Sequence, residues 1–301
     1  MIIAVTGGTG FVGGHVLRLA FEHGHTVRAL TRRPQPPQPS VTWIAGTLAD
    51  PGSLCDGADA VLHIAGVVNA ADRAGFDAGN VAGTASILAA AVAAGVRRFV
   101  HVSSLAAREP GLSMYGASKA AAEALVAASG LDWAIVRPPG VYGAGDTEML
   151  AVFQLAARGV AIAPGPGRFS LIEVGDLAHA LLAVTAATVT GTYEIDDGHG
   201  GYGHGELARA VGAALDRRPV VIPLPPRLLR LGATLDTAFS RRRGRLPRLS
   251  HDRARYLAHP DWVVDPARAL LEAVWRPSVA LAPGLAATAA WYRAQGWLPL
   301  R

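Results

Sequence analysis

A glycine-rich turn directly after the first apolar run constrains the fold of this chain most. Residues 2–5 (IIAV) lead into residues 6–13 (TGGTGFVG), and a helical pattern starts at once. Glycines at this spacing allow a tight strand-to-helix turn, a close approach of the backbone to a pyrophosphate and close packing of the helix on the strand. Backbone N–H groups and the positive end of the helix dipole then bind phosphates. The pattern predicts a dinucleotide site formed by Gly7, Thr9, Gly10, Phe11, Val12 and Gly13.

Short β-branched runs alternate with longer Ala-rich stretches through the first half of the chain. The apolar runs are residues 2–5, 25–30, 41–45, 60–64, 98–102 and 133–136, and residues 81–94 and 118–128 are helical by composition and length. Strands separated by helical stretches of about 10 to 15 residues form parallel β-α-β units. The alternation predicts an α/β, doubly wound parallel sheet of the Rossmann type.

The alternation weakens after about residue 140, where Gly and Pro interrupt the chain. We predict a dinucleotide-binding domain with the candidate catalytic helix over residues 1–160. Residues 161–301 are then mainly a smaller, discontinuous substrate lobe that partly returns to the Rossmann core. Within this lobe, residues 223–255 are rich in Arg and Leu, and leucines from Leu224 to Leu235 indicate an amphipathic helix that covers an apolar substrate or rests on a membrane.

The composition excludes several classes of protein. Of the 301 residues 17% are charged and 50% are hydrophobic, which excludes a disordered chain. No uninterrupted apolar segment is long enough to span a membrane, so we predict no spanning helix. The single Cys55 allows no internal disulfide. No basic stretch precedes the first apolar run, so we expect no secretory signal and a cytoplasmic location.

The charge pattern isolates one residue. The chain has 28 Lys and Arg residues, and all of them except Lys119 are arginine. Lys119 follows Tyr115 by four residues at the start of an Ala-rich helical stretch, so both side chains share one helix face. A phenol has a pKa near 10 and needs a neighbouring cation to exchange protons near neutrality. The pair predicts an acid/base tyrosine that is assisted by a lysine able to donate to a cofactor ribose.

Two hydroxyl groups follow the strand that precedes this helix. Ser103 and Ser104 come directly after residues 98–102. Ligands of open parallel sheets bind beyond the carboxyl ends of the strands. We therefore expect Ser104, with Ser103 as its reserve, to hydrogen-bond the reacting oxygen of a substrate, although strand-end serines are more often caps or turns.

The end of the second strand indicates which dinucleotide binds. A carboxylate there accepts from a free ribose 2′-hydroxyl, whereas a cation accommodates a 2′-phosphate. The chain has Arg32 and Arg33 at this place and no carboxylate. We predict NADP, with NAD as the alternative if these arginines are only surface charges.

Taken together, the glycine pattern, Ser103-Ser104 and the Tyr115/Lys119 pair resemble the extended short-chain dehydrogenase/reductase superfamily, which includes NAD(P)-dependent epimerases, dehydratases and 3β-hydroxysteroid dehydrogenase-like enzymes. The resemblance implies that Ser104, Tyr115 and Lys119 are catalytic and that Tyr115 and Lys119 also contact the cofactor. Residues 61–66, with Ala65 and Gly66, resemble the segment beside the cofactor ribose. Residues 80–84 resemble the start of the next helix, and residues 137–143, with Pro138, resemble the strand exit near the nicotinamide.

The resemblance implies an NADP-preferring oxidoreductase that transfers a hydride between a nicotinamide cofactor and a hydroxyl or carbonyl group of a small, largely apolar substrate. The alternatives are a sugar-nucleotide epimerase or dehydratase and a non-catalytic NAD(P)-sensing or scaffold protein. A shorter gap between Ser104 and Tyr115 than in the sugar-nucleotide epimerases argues against a UDP-sugar substrate. A homodimer is the oligomeric state that the resemblance implies.

Two further features have a plainer interpretation. The basic run Arg241, Arg242, Arg243, Arg245 and Arg248 is interpreted as a solvated charged segment, with contact to a membrane surface as the less favoured reading. Since no aromatic side chains are interleaved with these arginines, we predict no nucleic-acid partner. His199 and His204 lie in a Gly-rich segment that we interpret as a surface loop, so no metal site is predicted.

Overall fold

The computed structural model describes residues 1–247 and 249–299. The strands are β1 Ile2–Thr6, β2 Thr26–Thr31, β3 Val41–Ala45, β4 Ala60–His63, β5 Arg98–Val102, β6 Asp132–Arg137, β7 Gly140–Tyr142, β8 Val160–Pro164, β9 Arg168–Phe169, β10 Leu171–Glu173, β11 Gly191–Glu194, β12 Tyr202–Gly203, β13 Val220–Leu224 and β14 Asp261–Trp262. The α-helices are α1 Phe11–Glu22, α2 Arg73–Phe76, α3 Gly83–Ala93, α4 Met114–Ala127, α5 Leu150–Ala157, α6 Val174–Ala186, α7 His204–Ala214, α8 Pro226–Arg242, α9 His251–Leu257 and α10 Leu281–Ala294.

A seven-stranded sheet in the order β11-β6-β5-β4-β1-β2-β3 forms the centre of the first compact unit. All six pairings in this sheet are parallel. The strands β1 and β4 are almost fully buried, as expected for a parallel sheet that is covered by helices. Ile87, Phe99 and Ile135 belong to the apolar core of this unit. The predicted doubly wound α/β fold is confirmed.

The division of the chain differs from the predicted boundary at residue 160. The first unit comprises residues 1–138, 177–195 and 266–276, and the second comprises residues 139–176, 196–265 and 277–301. The changeover falls at residue 138 because β7 leaves the central sheet and pairs with β10 of the second unit. The chain returns to the first unit within α6, and β11 then pairs with β6 at the sheet edge.

The second unit has its own apolar core and short sheets. Tyr142, Phe153 and Tyr292 are fully buried in this core, and the rings of Phe153 and Tyr292 meet edge to face with centroids 5.2 Å apart. The strand β8 pairs in parallel with β13, and β9 pairs with β12 and β14. Residues 223–255, where the leucines indicated an amphipathic helix, contain the whole of α8 and most of α9.

Two helices extend beyond their predicted bounds. The helix α4 starts at Met114 rather than at residue 118, because the Ser113 hydroxyl caps it by accepting from the Gly116 N–H at 2.9 Å. Residues 73–93 form a continuous 21-residue helical stretch that joins α2, a π-helical segment Asp77–Ala82 and α3. By length and composition this stretch could cross a membrane. Its α3 part packs on β4 and α4, so the stretch belongs to the core of the first unit.

Candidate active site

The turn between β1 and α1 requires glycine at two positions. Gly7 has φ +77°, and a Cβ on it would lie 2.8 Å from the backbone nitrogen of Ala65. A Cβ on Gly13 would lie 2.0 Å from the carbonyl oxygen of Gly7. A side chain on Gly13 would push α1 away from the turn, and a side chain on Gly7 would push the turn away from the end of β4. This close packing is what the glycine spacing predicts.

The N-terminus of α1 is suited to bind an anion. Gly10 is the N-cap residue, and among the described residues no side chain caps this helix and none of its first-turn residues is acidic. The Gly10 N–H donates to the Gly7 carbonyl at 2.9 Å, which closes the turn. The first N–H groups of an α-helix have no partner within the helix and are available to a ligand. Thr9 and Gly10 are exposed, and Phe11 and Val12 are half-buried. The residues present therefore fit a dinucleotide pyrophosphate.

The two arginines after β2 lie next to the strand that carries this turn. The strand β2 pairs in parallel with β1, and Arg32 and Arg33 follow directly after its end, both exposed. The Thr31 hydroxyl donates to the carbonyl oxygen of Arg33 at 2.6 Å, which holds this corner. Among residues 1–247 and 249–299, no carboxylate pairs with either guanidinium group.

Lys119 lies in the interior at the ends of β4 and β5. Its side chain is 4% exposed, and its ammonium donates to the carbonyl oxygen of Val102 at 2.7 Å. A Cβ on Gly66 would lie 3.6 Å from Nζ, so the ammonium faces the segment that resembles the ribose contact. Burial lowers the pKa of Lys119 from 10.5 to about 8, and the charge of Glu123 opposes this shift. Lys119 therefore keeps its charge at neutral pH with a proton that is easier to lose.

Tyr115 is hydrogen-bonded to Ser104, which brings two of the predicted catalytic residues together. Burial raises the pKa of the Tyr115 phenol, and the Ser104 hydroxyl opposes this shift. The pKa of Tyr115 is thus raised by desolvation of the ring, and Lys119 is not among the groups that shift it. The phenol is protonated at neutral pH and suited to donate its proton. The Ser104 hydroxyl also accepts from the Ala106 N–H at 3.2 Å. Ser104 therefore caps the short helical turn that follows β5 and contacts Tyr115 at the same time.

Asn80 is a positioning residue. From the sequence it was expected only to lie at the start of a helix, without a role in the site. Its amide exchanges two hydrogen bonds with the backbone of Val67, at 2.7 and 2.9 Å, and donates to the Ser118 hydroxyl at 2.8 Å. Ser118 in turn donates to the carbonyl oxygen of Tyr115 at 2.8 Å. Asn80 lies in the π-helical segment Asp77–Ala82, and π-helical turns are frequent at functional sites. It ties the loop after Gly66 to the helix that carries Tyr115 and Lys119.

A buried ion network lies behind this helix. Arg137 forms two hydrogen bonds with Glu123, at 2.6 and 2.8 Å, and one with Glu194 at 3.3 Å. The Ser103 hydroxyl donates to the same Glu123 carboxylate at 2.5 Å. The Ser103 hydroxyl is thus engaged with Glu123, whereas Ser104 contacts Tyr115, which favours Ser104 as the group that orients the reacting oxygen. Glu123 is one turn of α4 beyond Lys119, so the network joins this helix to β6 and β11.

We expect Glu123→Ala to lower the free energy of unfolding by about 3 kcal/mol, because it leaves a buried guanidinium group without its main partner. Urea unfolding followed by circular dichroism measures this change. Glu22→Ala, which removes the exposed Arg18–Glu22 pair on α1, is the matched control and should change stability by about 0.5 kcal/mol or less. Equal effects of the two substitutions would show that the network adds nothing beyond a surface pair.

Two buried histidines lie near enough to Lys119 for its charge to lower the pKa of both. His63 hydrogen-bonds the hydroxyls of Thr6 and Thr84, at 2.6 and 3.0 Å, and burial lowers its pKa to about 3. His101 stacks on His63 with centroids 5.3 Å apart, and burial also lowers its pKa. Both imidazoles are therefore neutral.

Pro138 lies at the exit of β6, where its carbonyl oxygen accepts from the Leu105 N–H at 3.0 Å.

Comparison with known proteins places this site in a family. The model of the "NAD dependent epimerase/dehydratase family" matches residues 3–195, which contain all the candidate site residues. A ceramide reductase of Caulobacter vibrioides is 39% identical over 99% of this chain and 96% of its own length. A sterol demethylase protein B of Methylococcus capsulatus is 30% identical over 85% of this chain and 88% of its own length.

The fold agrees with a solved structure. The Bordetella bronchiseptica enzyme WbmH, solved in complex with NAD+, superposes with a TM-score of 0.74 at 22% identity, over 98% of this chain and 99% of its own. This likeness supports the fold alone, whereas the family match and the ceramide reductase extend through the sequence of the site. The chain therefore belongs to the NAD dependent epimerase/dehydratase family, within the extended short-chain dehydrogenases/reductases, and is an NAD(P)-dependent oxidoreductase.

Proposed function

We propose that this chain is an NADPH-dependent reductase of a ketone on a long-chain, ceramide-like lipid. The observation that carries the proposal is the 39% identity to a ceramide reductase along 99% of the chain. The proposed substrate is apolar, as the Leu-rich segment predicted. It is a long-chain lipid rather than the small molecule that was expected from the sequence. The short gap between Ser104 and Tyr115, which argues against a UDP-sugar substrate, supports the same choice.

Ser104, Tyr115 and Lys119 have separate roles in this proposal. The Tyr115 phenol donates its proton to the oxygen of the carbonyl as negative charge develops there. Ser104 hydrogen-bonds the same oxygen and orients it, as its contact with the phenol supports. The Lys119 ammonium, close to Gly66 and to the end of β5, would donate to the cofactor ribose. When bound, the nicotinamide cofactor supplies the hydride for the carbonyl carbon.

The cofactor would be held by the residues predicted from the sequence. The glycine-rich turn and Phe11 and Val12 would bind the pyrophosphate at the N-terminus of α1. Ala65, Gly66 and Lys119 would contact the ribose next to the nicotinamide, and Pro138 would lie beside that ring. Arg32 and Arg33 would bind the 2′-phosphate, which is why we propose NADPH over NADH.

Replacing Arg32 and Arg33 together by Ala tests this preference. We expect NADPH to bind about 10- to 100-fold more weakly, because charge-assisted hydrogen bonds to the phosphate are lost, while NADH affinity stays within about twofold. Fluorescence titration with both nucleotides measures the two constants. Arg97→Ala, at an exposed arginine beside Asp132, is the control and should change neither. Equal weakening for NADPH and NADH would contradict the role of these arginines.

An assay of the purified chain tests the proposed reaction. NADPH consumption is followed at the nicotinamide absorbance with three compounds: a long-chain N-acyl amino ketone, a short-chain ketone analogue and UDP-glucose. We expect the long-chain ketone to be reduced with the highest kcat/KM, and mass spectrometry of the lipid to show the new alcohol. Turnover of UDP-glucose without reduction of either ketone would overturn the proposal in favour of a sugar-nucleotide enzyme.

A further inference from the structure

The helix α8 packs on the second unit through one face only. Leu229 and Ala233 are buried and form a small apolar cluster with Ala254 of α9. Leu224, Leu249 and Leu257 pack around the same cluster. This face explains why residues 226–242 fold as a helix against α9. It also fixes which side of α8 points away from the unit.

The opposite face of α8 carries an exposed apolar stripe. Leu228, Leu231, Leu235 and Phe239 are between 52% and 63% exposed. Their spacing of three or four residues places all four on one side of the helix, about opposite to Leu229 and Ala233. A single exposed leucine is ordinary, but a continuous stripe of four large apolar side chains marks an interaction surface.

Exposed arginines surround this stripe. Arg227 and Arg230 are exposed on the first half of α8, and Arg242, Arg243 and Arg245 are exposed at and just after its end. The guanidinium group of Arg243 lies 4.0 Å from the ring centroid of Phe239, so charge and apolar surface are in direct contact. Of the predicted basic run, Arg248 and the side chain of Arg241 are outside the described residues. Within the described part, none of these five arginines forms an ion pair.

The acid of α8 does not neutralise the exposed face. Asp236 is half-buried and accepts from the Ser240 hydroxyl at 3.1 Å and from the Leu249 N–H at 2.7 Å. The contact with Ser240 lies within the helix, and the contact with Leu249 holds the helix to the segment that follows it. The exposed side of α8 is thus apolar along its centre and positive along its margin and at its end. This combination is typical of helices that lie in the interface of a membrane.

We propose that α8 docks this protein on the surface of an anionic phospholipid bilayer. The stripe of Leu228, Leu231, Leu235 and Phe239 would enter the boundary between headgroups and acyl chains, and the arginines would contact the headgroups. A second copy fits less well, because a two-fold pairing of the stripe with itself would bring the two arginine sets together. This inference rests on the geometry of α8 and holds whether or not the proposed lipid reduction is correct.

Co-sedimentation of the full chain with vesicles tests the docking surface. We expect binding at low salt to vesicles of phosphatidylcholine with phosphatidylglycerol, and little binding to phosphatidylcholine alone. Leu231→Asp with Leu235→Asp should lower the partition coefficient at least about tenfold, and Arg227→Gln with Arg230→Gln should lower it roughly fivefold for each charge removed. Added salt should weaken the binding of the unmodified chain.

A matched control separates the stripe from general exposed hydrophobicity. Leu271→Asp alters a leucine that is 58% exposed in the first unit, and it should leave vesicle binding unchanged. Thermal unfolding of each variant confirms that it is folded, since all these side chains are exposed. Absence of binding to anionic vesicles, equal binding to neutral vesicles, or full binding by the Leu231/Leu235 variant would each overturn the proposal. A dimer that dissociates on the same substitution, seen by analytical ultracentrifugation, would overturn it in favour of self-association.

Discussion

Replacing Tyr115 by Phe is expected to lower turnover by about 10²- to 10⁴-fold while NADPH binds within about threefold of its original affinity. The substitution removes the proton donor of the proposed reaction and keeps the ring, which packs 6.2 Å from the ring of Phe76. Because burial raises the pKa of this phenol, the phenol is fully protonated at neutral pH. Among the groups shown to contact Ser104, no other side chain could replace it as the proton donor. Single-turnover kinetics separates this effect from product release.

Tyr193→Phe is the matched control for this experiment. Tyr193 lies on β11, and its hydroxyl donates to the carbonyl oxygen of Thr190 at 3.1 Å. This substitution removes a phenol of the same unit that has no place in the proposed site, so turnover should be unchanged. If Tyr115→Phe also kept near-normal turnover, Tyr115 would have no part in the chemistry and the proton donor would have to be another group.

Replacing Lys119 by Met is expected to abolish most turnover and to make the protein more stable at pH 7. The ammonium is 4% exposed, and its pKa in the folded chain, about 8, lies below its ordinary value of 10.5. This difference corresponds to about 3 kcal/mol of cost to folding. The lost hydrogen bond to Val102 offsets about 1 kcal/mol of the gain. The net expectation is about 2 kcal/mol of added stability together with a loss of turnover of at least about 100-fold.

The size of this stability effect decreases as the pH rises. Between pH 8 and 10.5 the unfolded chain binds the Lys119 proton while the folded chain releases it. The cost of the buried charge is therefore fully present below pH 8 and is lost as the pH rises towards 10.5. Urea unfolding at pH 7 and at pH 10 should show the variant's advantage shrinking. A variant that is less stable than the unmodified chain at pH 7 would contradict a desolvated ammonium at this position.

The parts of the site that lie close together in the sequence were predictable. The glycines of the first turn and the Tyr115/Lys119 pair each sit within one turn or one helix, where spacing alone fixes which groups meet. The central sheet was predictable because parallel strands and helices alternate with different periods. The start of α4 was missed because Gly116 and Ser118 are poor helix residues, and only the Ser113 cap explains the earlier start.

Groups that are distant in the sequence were not predictable. Arg137 meets Glu194 because β6 and β11 are neighbours in the sheet, and it meets Glu123 because α4 packs on β6. No local pattern of the sequence reports either contact. The hydrogen bond from Ser103, at the end of β5, to Glu123 on α4 likewise joins residues that are distant in the sequence. The raised pKa of Tyr115 depends on how deeply the ring is buried, which composition does not show. The residues resembling a helix start gave no sign that Asn80 links Val67 to Ser118.

Transfer of deuterium from NADPH labelled at the nicotinamide C4 position tests the central claim most directly. With a long-chain N-acyl amino ketone as substrate, the account predicts that the purified chain forms the lipid alcohol with deuterium on the carbinol carbon, and that Tyr115→Phe forms it far more slowly. An alcohol without deuterium, or labelled NADPH that stays unconsumed while the chain acts on another substrate class, would contradict the account.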